Sequence, residues 1–288
     1  MTDPPPWVAG ALPGVVATGH RARWGFRHET WIVDADGRRR VLQRRVDGSD
    51  PTDDVSRLTR RLVRDAGLPT PEPERRDGST PGSAVVVVEL PFVDAQVAAE
   101  LLDAPRGATT VGRLCGSIAV RLRSIDVRGV ELVATWTSGA RLRTAAEHWL
   151  THLPAPARAD TRRSVEQALT RASEMLDADT PGLAHGDLAP VNVLVRDGEV
   201  AAVLDLDRAQ LAHPAYDAAW FAWVVSFHHP RVAGTACAAY TAAAGVPTGK
   251  DALGWLWPLL LLERLAEATD TGERAMWADR LVGRGRSI

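Results

Sequence analysis

The hydrophobic rhythm of the chain changes about a third of the way along. Up to residue 90 the apolar positions come in short runs bounded by turn residues: Trp31 to Val33, the pair Asp36-Gly37, then Val41-Leu42, and later Ala84 to Val88. This pattern predicts a hairpin followed by a buried strand. Between them, Asp53 to Ala66 carries Val55, Leu58 and Leu62 at helical spacing and is closed by Gly67 with Pro69 beyond. One helix is therefore expected among the strands.

From Thr109 onward the period becomes helical. Val111, Leu114, Cys115, Ile118, Leu122 and Ile125 make one stripe, and Val165, Ala168, Leu169, Ala172, Met175 and Leu176 make another. The segment after Asp217 is rich in Ala, Leu and Trp and stays helical in period. A β-rich first third and a helical remainder predict an α+β chain of two lobes, residues 1–92 and 93–288, joined near Leu90 to Asp94 with a cleft between them.

Composition narrows the function. The 288 residues are 45% hydrophobic, enough for an ordinary core, and carry a net charge of −2 with the signs well mixed. No basic stripe supports nucleic-acid binding. The longest apolar run, Trp255 to Leu262, is broken by Pro258 and falls short of the ~20 residues of a spanning helix, so no membrane role is expected. The Pro-rich start, Met1 to Gly10, lacks a signal-peptide pattern and reads as a tail. Cys115 and Cys237 belong to no CxxC or Cys/His cluster, which argues against a disulfide framework or zinc and fits a reducing cytoplasm.

The chemistry concentrates between Leu183 and Asp207. Val193 to Val195 and Val200 to Leu204 read as short strands around the Asp197-Gly198 turn, so Asn192 at the entry and Asp205 at the exit should meet at one edge. An amide oxygen and a carboxylate there suit magnesium, a hard cation that takes few protein ligands. Asp187, five residues before Asn192, is placed to accept or orient a substrate hydroxyl proton. Singly, either aspartate reads as a turn or strand-end cap. The three together at this spacing fit the arrangement for phosphoryl transfer.

His185-Gly-Asp-Leu-Ala-Pro-Val-Asn192, followed by Leu204-Asp-Leu-Asp207, resembles the signature of the aminoglycoside phosphotransferase family. These are small-molecule kinases with a protein-kinase-like fold, and their pattern is HGDxxxxN followed by a metal-binding Asp. The resemblance makes Asp187 the catalytic base and Asn192 and Asp205 the magnesium ligands, with ATP, or GTP, as donor and a small-molecule hydroxyl as acceptor. It extends to Ala212-His-Pro-Ala-Tyr-Asp217, which is similar to the family's DPxxD segment, and runs from about Gly19 to Trp223. Ala189 and Val191 replace the His and Gly of the common HGDLHPGN form. His185 is expected to hold the loop through its ring, and Asp207 reads either as a metal contact or as the partner of an arginine.

The resemblance also implies a phosphate-covering loop, here Gly19 to His28 with Gly25 and Phe26 over the nucleotide, and a connector around Glu89 to Phe92 whose backbone, at Glu89 and Leu90, meets the base. Kinases present a lysine to the phosphates from the next strand. The only lysine is Lys250, in the helical part, so Arg44 takes that place in this reading, with a solvated surface arginine as the alternative. The usual glutamate partner is missing: its expected position falls near Arg57, and the helix offers only Asp53 and Asp54.

For the acceptor, the segment from Leu211 onward carries seven acidic and seven basic residues, a poor lining for a polycationic aminoglycoside, and five of the ten tryptophans. Trp220 and Trp223 are expected to bind the acceptor, which favours a nucleoside, macrolide or other sugar-bearing antibiotic. The alternatives are a metabolic sugar or amino-alcohol kinase and a non-catalytic, pseudokinase-like nucleotide-binding protein.

Overall fold

The computed structural model describes residues 4–14, 17–22, 28–46, 48, 54–79, 85–153 and 155–283. Asp36 and Gly37 have φ of 51° and 69°, the paired positive values of a type I′ turn. That turn organises an antiparallel meander of β1 (Thr18–Arg21), β2 (His28–Ala35) and β3 (Arg38–Arg45). With β4 (Glu74–Asp77) and β5 (Val86–Pro91) the sheet has the order β1-β2-β3-β5-β4. Strand alternation sends Trp31, Val33, Ala35 and Leu42 into one core.

That core is capped by a short helix the sequence did not suggest. The Pro-rich start, expected as a tail, forms α1 (Pro6–Ala11), and Trp7, Val8, Ala11 and Leu12 pack into the sheet core, Trp7 with only 4% exposure. Proline at the first helical position costs no hydrogen bond, which is why a Pro-rich segment can start a helix here.

The expected helix is α2 (Asp54–Asp65), but its orientation differs from the reading of its stripe. Val55 and Leu58 are 44% and 38% exposed, while Ser56, Thr59 and Val63 are buried. The inward face is polar because Arg60, one turn after Ser56, reaches a buried carboxylate described below. The helix ends as expected: Gly67 adopts φ 79°, and the Leu68 N–H donates to the Val63 carbonyl at 3.1 Å.

A two-residue strand, β6 (Gln96–Val97), leads into helices α3 (Pro105–Arg123), α4 (Gly139–Leu150) and α5 (Ala155–Leu176), then β7 (Gly182–Ala184). The stripe of α3 is buried from Val111 to Leu122, and Ile125 lies beyond the helix end, half-buried. Each such Leu- or Ile-sized side chain contributes ~1.5–3 kcal/mol when fully buried. Next come α6 (Ala215–His228), α7 (Ala233–Ala244), α8 (Lys250–Leu253), α9 (Trp257–Glu267) and α10 (Thr271–Leu281). Gly112 and Gly116 let α3 lie directly on α7, since a Cβ at either would strike the carbonyl of Ala236 or Tyr240. Helix α6 is buried on all sides from Ala215 to Val225.

The hairpin of β8 (Val193–Arg196) and β9 (Glu199–Val203) turns at Asp197-Gly198, with φ of 55° and 78°, again a type I′ pair. β10 (Gln210–Ala212) then returns to pair antiparallel with β7. The chain forms two compact units, one of Met1–Gln96 with Leu194–Asp207 and the other of Val97–Val193 with Arg208–Ile288. The sequence reading drew one boundary, after residue 92. The hairpin groups with the β-rich unit because the Val203 N–H donates to the Pro69 carbonyl at 2.8 Å and the Thr70 hydroxyl donates to the Val203 carbonyl at 2.7 Å. Among the described residues, no helix is long and apolar enough to cross a membrane.

Candidate active site

The loop after β7 is fixed by backbone chemistry before any ligand is considered. Gly186 has φ 82°, and a Cβ there would overlap the Arg208 carbonyl, so only glycine fits. The buried Asp217 carboxylate, in the first turn of α6, accepts the N–H groups of His185 at 2.8 Å and Gly186 at 3.1 Å. Burial pushes the Asp217 carboxyl up, and the His185 ring and these two N–H groups oppose that shift. His185 is fully buried, and its Nδ1 accepts the Asp187 N–H at 3.3 Å. It holds the loop, as the sequence suggested.

The Asp187 carbonyl is held in turn by the Asn192 side-chain amide at 2.9 Å and the Ala189 N–H at 2.7 Å. Donation through Nδ2 leaves Asn192 presenting Oδ1 as its acceptor end. The Asp187 carboxylate receives the indole N–H of Trp220, 2.5 Å from Oδ1. Trp220 is 4% exposed, stacks on Trp223 with centroids 5.1 Å apart, and lies 4.2 Å from the Arg264 guanidinium carbon, while Arg264 also donates to the Gly186 carbonyl.

Both tryptophans expected to bind the acceptor are thus buried, Trp220 with its polar edge on Asp187 and Trp223 between Trp220 and Phe227. Neither Trp220's contact with Asp187 nor the role of Arg264 was read from the sequence. The available signal was helical: Trp220 lies three residues after Asp217, on the same face of α6.

A buried polar network backs this loop. Glu263 accepts the Trp136 indole N–H at 2.9 Å and the Tyr216 hydroxyl at 2.7 Å. Burial and the nearby Glu267 push its carboxyl up to about 7, against the opposing pull of Arg208 and the two hydrogen bonds. Arg208 is paired with Glu267; burial opposes its charge, but Glu267 together with Tyr216, Glu263 and Asp187 outweighs burial and keeps the guanidinium charged.

In the other unit, Asp205 follows β9 with φ 55°, a left-handed conformation that Asp tolerates better than most residues and that is concentrated at functional sites. Two residues on, the Asp207 side chain is 7% exposed and carries two arginines: Arg60 on Oδ1 and Arg45 on Oδ2, each at 2.6 Å. His28 Nε2 lies 3.3 Å from Oδ2. Burial alone would raise the Asp207 carboxyl, but His28, Arg60 and Arg45 hold it well below the usual carboxylate range. His28, Asp205 and Asp207 offer ligand atoms within 4.8 Å of one another. Asp207 is engaged by both arginines, and Asp205 Oδ2 lies 4.0 Å from His28 Nδ1.

A model of the phosphotransferase enzyme family matches residues 18–256, which takes in the Asp187 loop, the hairpin and Asp205. The chain belongs to that family. Its fold is similar to that of a thermostable mutant of aminoglycoside phosphotransferase APH(4)-Ia in ternary complex with AMP-PNP and hygromycin B, at 18% identity and TM-score 0.63 over 98% of each chain. It is also similar to macrolide 2'-phosphotransferase MphH from Brachybacterium faecium, at 20% identity and TM-score 0.57 over 95% of this chain and 96% of that one. A third similar structure is the GDP and kanamycin complex of APH(2")-IIia, at 16% identity and TM-score 0.62 over 96% of each chain. No curated protein sequence matches the chain significantly. The protein-kinase-like α+β fold of the phosphotransferase is the one its sequence pattern implied.

Of the residues expected at the nucleotide of this phosphotransferase, Gly19, Arg44, Glu89 and Leu90 are among those described. Gly25 and Phe26 lie outside the described residues. Gly19 belongs to β1, where a Cβ would strike the Ile32 carbonyl, so strand approach explains that glycine. Arg44 shares the Leu42 face, as alternation required, but that is the α1 side of the sheet. There it pairs with Glu29 at 2.7 Å and lies 5.3 Å from the Trp7 ring centroid. Arg45 on the opposite face meets Asp207 instead. Glu89 and Leu90, expected in the connector, sit inside β5: Glu89 pairs with both β3 and β4, and its carboxylate takes Arg40 at 3.1 Å and Arg76 at 2.9 Å. Leu90 pairs with Val41 of β3, and β4 pairs no further than Glu89.

Proposed function

We propose that this phosphotransferase moves the γ-phosphoryl group of ATP, or of GTP, to a hydroxyl of a small-molecule antibiotic and thereby inactivates it. The observation that carries this reading is the fixed Asp187 carboxylate, with its backbone clamped on both sides and its Oδ1 oriented by the Trp220 N–H. In this reading Asp187 accepts the proton of the acceptor hydroxyl as that oxygen bonds to the γ-phosphorus, and the nucleoside diphosphate leaves with the bridging electron pair.

Asn192 and Asp205 would hold a magnesium ion. The Asn192 amide offers its oxygen because its nitrogen is bound to the Asp187 carbonyl, and one carboxylate with one amide oxygen is a hard donor set. When bound, magnesium supplies charge neutralisation on the phosphates. The base would meet the backbone of Leu90 to Phe92, past the point where β4 stops pairing with β5. A cytoplasmic location, where nucleoside triphosphate is available, goes with this reading.

An acceptor of low charge, a macrolide, nucleoside or other sugar-bearing antibiotic, is favoured over a polycationic aminoglycoside. The support is the even balance of seven acids and seven bases from Leu211 onward, together with the half-buried Trp255 and Trp257. Mass spectrometry after incubation with magnesium and ATP or GTP, over a pooled acceptor panel, tests this. One added phosphoryl group on an antibiotic supports the reading. Phosphorylation confined to simple sugars or amino alcohols would make the protein a metabolic kinase, and nucleotide binding without any product across a broad panel would favour the non-catalytic reading.

A further inference from the structure

Arg280, near the end of α10, is a half-buried cation held by aromatic rings alone. Its guanidinium carbon lies 4.7 Å from the ring centroid of Phe227, 4.8 Å from that of Trp277 and 5.5 Å from that of Trp223. Its side chain forms no hydrogen bond or ion pair among the described residues. Burial pushes the group down from its ordinary range, with no carboxylate acting against that shift. His228, next to Phe227 at the end of α6, is pushed down by burial, Arg280 and His229, again with no carboxylate opposing. Two other arginines over rings are placed differently: Arg44 pairs with Glu29, and Arg264 donates to the Gly186 carbonyl. Rings take the faces of a guanidinium, whereas its five N–H donors lie in its plane, so these contacts leave the hydrogen-bonding edges of Arg280 for another partner.

The same rings lead back to Asp187. Trp220, Trp223 and Phe227 stand at positions i, i+3 and i+7 of α6, with neighbouring centroids 5.1 and 5.2 Å apart, and Trp220 donates to the Asp187 carboxylate. Seven residues of helix set the length of this row at ~10 Å. Trp220 and Trp223 are buried, while Asp187 and Arg280 at its two ends are half-buried. The row is therefore a spacer that fixes two polar ends.

We propose that Arg280 is a specificity-determining residue of the acceptor site and binds a carboxylate that the acceptor carries ~10 Å from the hydroxyl taken by Asp187, a separation set by the helix rise. The proposal rests on the phosphoryl-transfer reading above and narrows its substrate class to a monoanionic acceptor about two rings long. A carboxylate matches the planar fork of a guanidinium in bidentate fashion, and a polycation would meet an uncompensated positive charge there.

Saturation-transfer NMR titration of the full-length protein with phenyl glucoside and its para-carboxy and para-aminomethyl derivatives tests this without turnover. The three probes differ only in the charge remote from the sugar hydroxyls. The carboxylate is expected to bind about tenfold or more tighter than the neutral parent, and the amine weakest, as a charge-assisted contact implies. Arg280→Gln should remove that advantage while leaving the neutral glucoside unchanged, and Arg280→Lys should keep part of it. Equal losses for all three probes in Arg280→Gln would reduce the residue to a structural role and overturn the proposal. So would a wild type that binds the carboxylate no better than the parent, or a carboxylate preference that survives in Arg280→Gln. Phosphoryl transfer to a neutral antibiotic with no Arg280-dependent preference would sink the carboxylate site alone. An Arg280-dependent preference in a protein that binds no nucleotide would sink the phosphoryl-transfer reading and, with it, the assignment of the carboxylate to an acceptor.

Discussion

The indole N–H of Trp220 points at the Asp187 carboxylate across 2.5 Å, and the Arg264 guanidinium lies over the same indole ring. Arg264 also donates to the Gly186 carbonyl, so one buried arginine braces both the loop and the ring that orients its carboxylate. A hydrogen bond to a charged group contributes about 1.5–3 kcal/mol.

Trp220→Phe keeps the ring and removes the donor. A fall in kcat of about tenfold or more, with the KM for acceptor little changed, is expected from steady-state kinetics. A raised acceptor KM at unchanged kcat would return Trp220 to the substrate-contacting role its sequence position suggested.

Asp217 accepts two consecutive backbone N–H groups from the site loop. In Asp217→Ala both donors lose their partner inside a buried site, at about 1–3 kcal/mol for each unsatisfied group. The expected outcome is a lower denaturant midpoint together with a large loss of kcat. Full activity in a destabilised variant would separate the loop's stability from its catalytic geometry.

Glu263 gives a pH dependence of known sign. Its folded carboxyl is held up at about 7 against an ordinary value of 4.5, so between those pH values the native state binds more protons than the unfolded chain. Stability therefore falls as pH rises from about 4.5 to about 7 and then levels, by an amount on the order of 3 kcal/mol. Glu263→Gln should remove that component, so unfolding midpoints at pH 5 and pH 8 should differ less in the variant. Identical pH dependence in both proteins would contradict the assignment.

Asp205 combines a left-handed backbone with the proposed ion-binding role. Asp205→Asn tolerates that backbone and should fold like the wild type, while needing about tenfold more magnesium for half-maximal nucleotide binding. Asp205→Ala should show the same binding loss plus about 1 kcal/mol of destabilisation from φ 55°. Thermal melts and magnesium titrations separate the two effects.

Much of this architecture is legible in the sequence where local rules agree with the fold. The Asp36-Gly37 and Asp197-Gly198 turns, the α2 stop at Gly67 and the α3 stripe all follow from one-residue or one-turn preferences. Legibility fails where tertiary partners override local pattern. Val55 and Leu58 look like a buried stripe, yet α2 turns its polar face inward because Arg60 has a buried anionic partner 147 residues away. Arg44 shares the face of Leu42, and which face of the sheet α1 covers is decided by Trp7 and Val8, which read as part of a tail. Asp187 and Asn192 were visible because their spacing is local, whereas the Trp220 and Arg264 support of Asp187 depends on helix packing that no short motif encodes.

The most direct test of Asp187 as the base is a comparison of wild type and Asp187→Asn, by mass spectrometry of product and by nucleotide titration on the same preparations. The expected result is a phosphorylated acceptor with the wild type and a rate lower by a factor of about 100 or more with the variant, at nearly unchanged nucleotide affinity. Product formation by Asp187→Asn at the wild-type rate would contradict the central assignment.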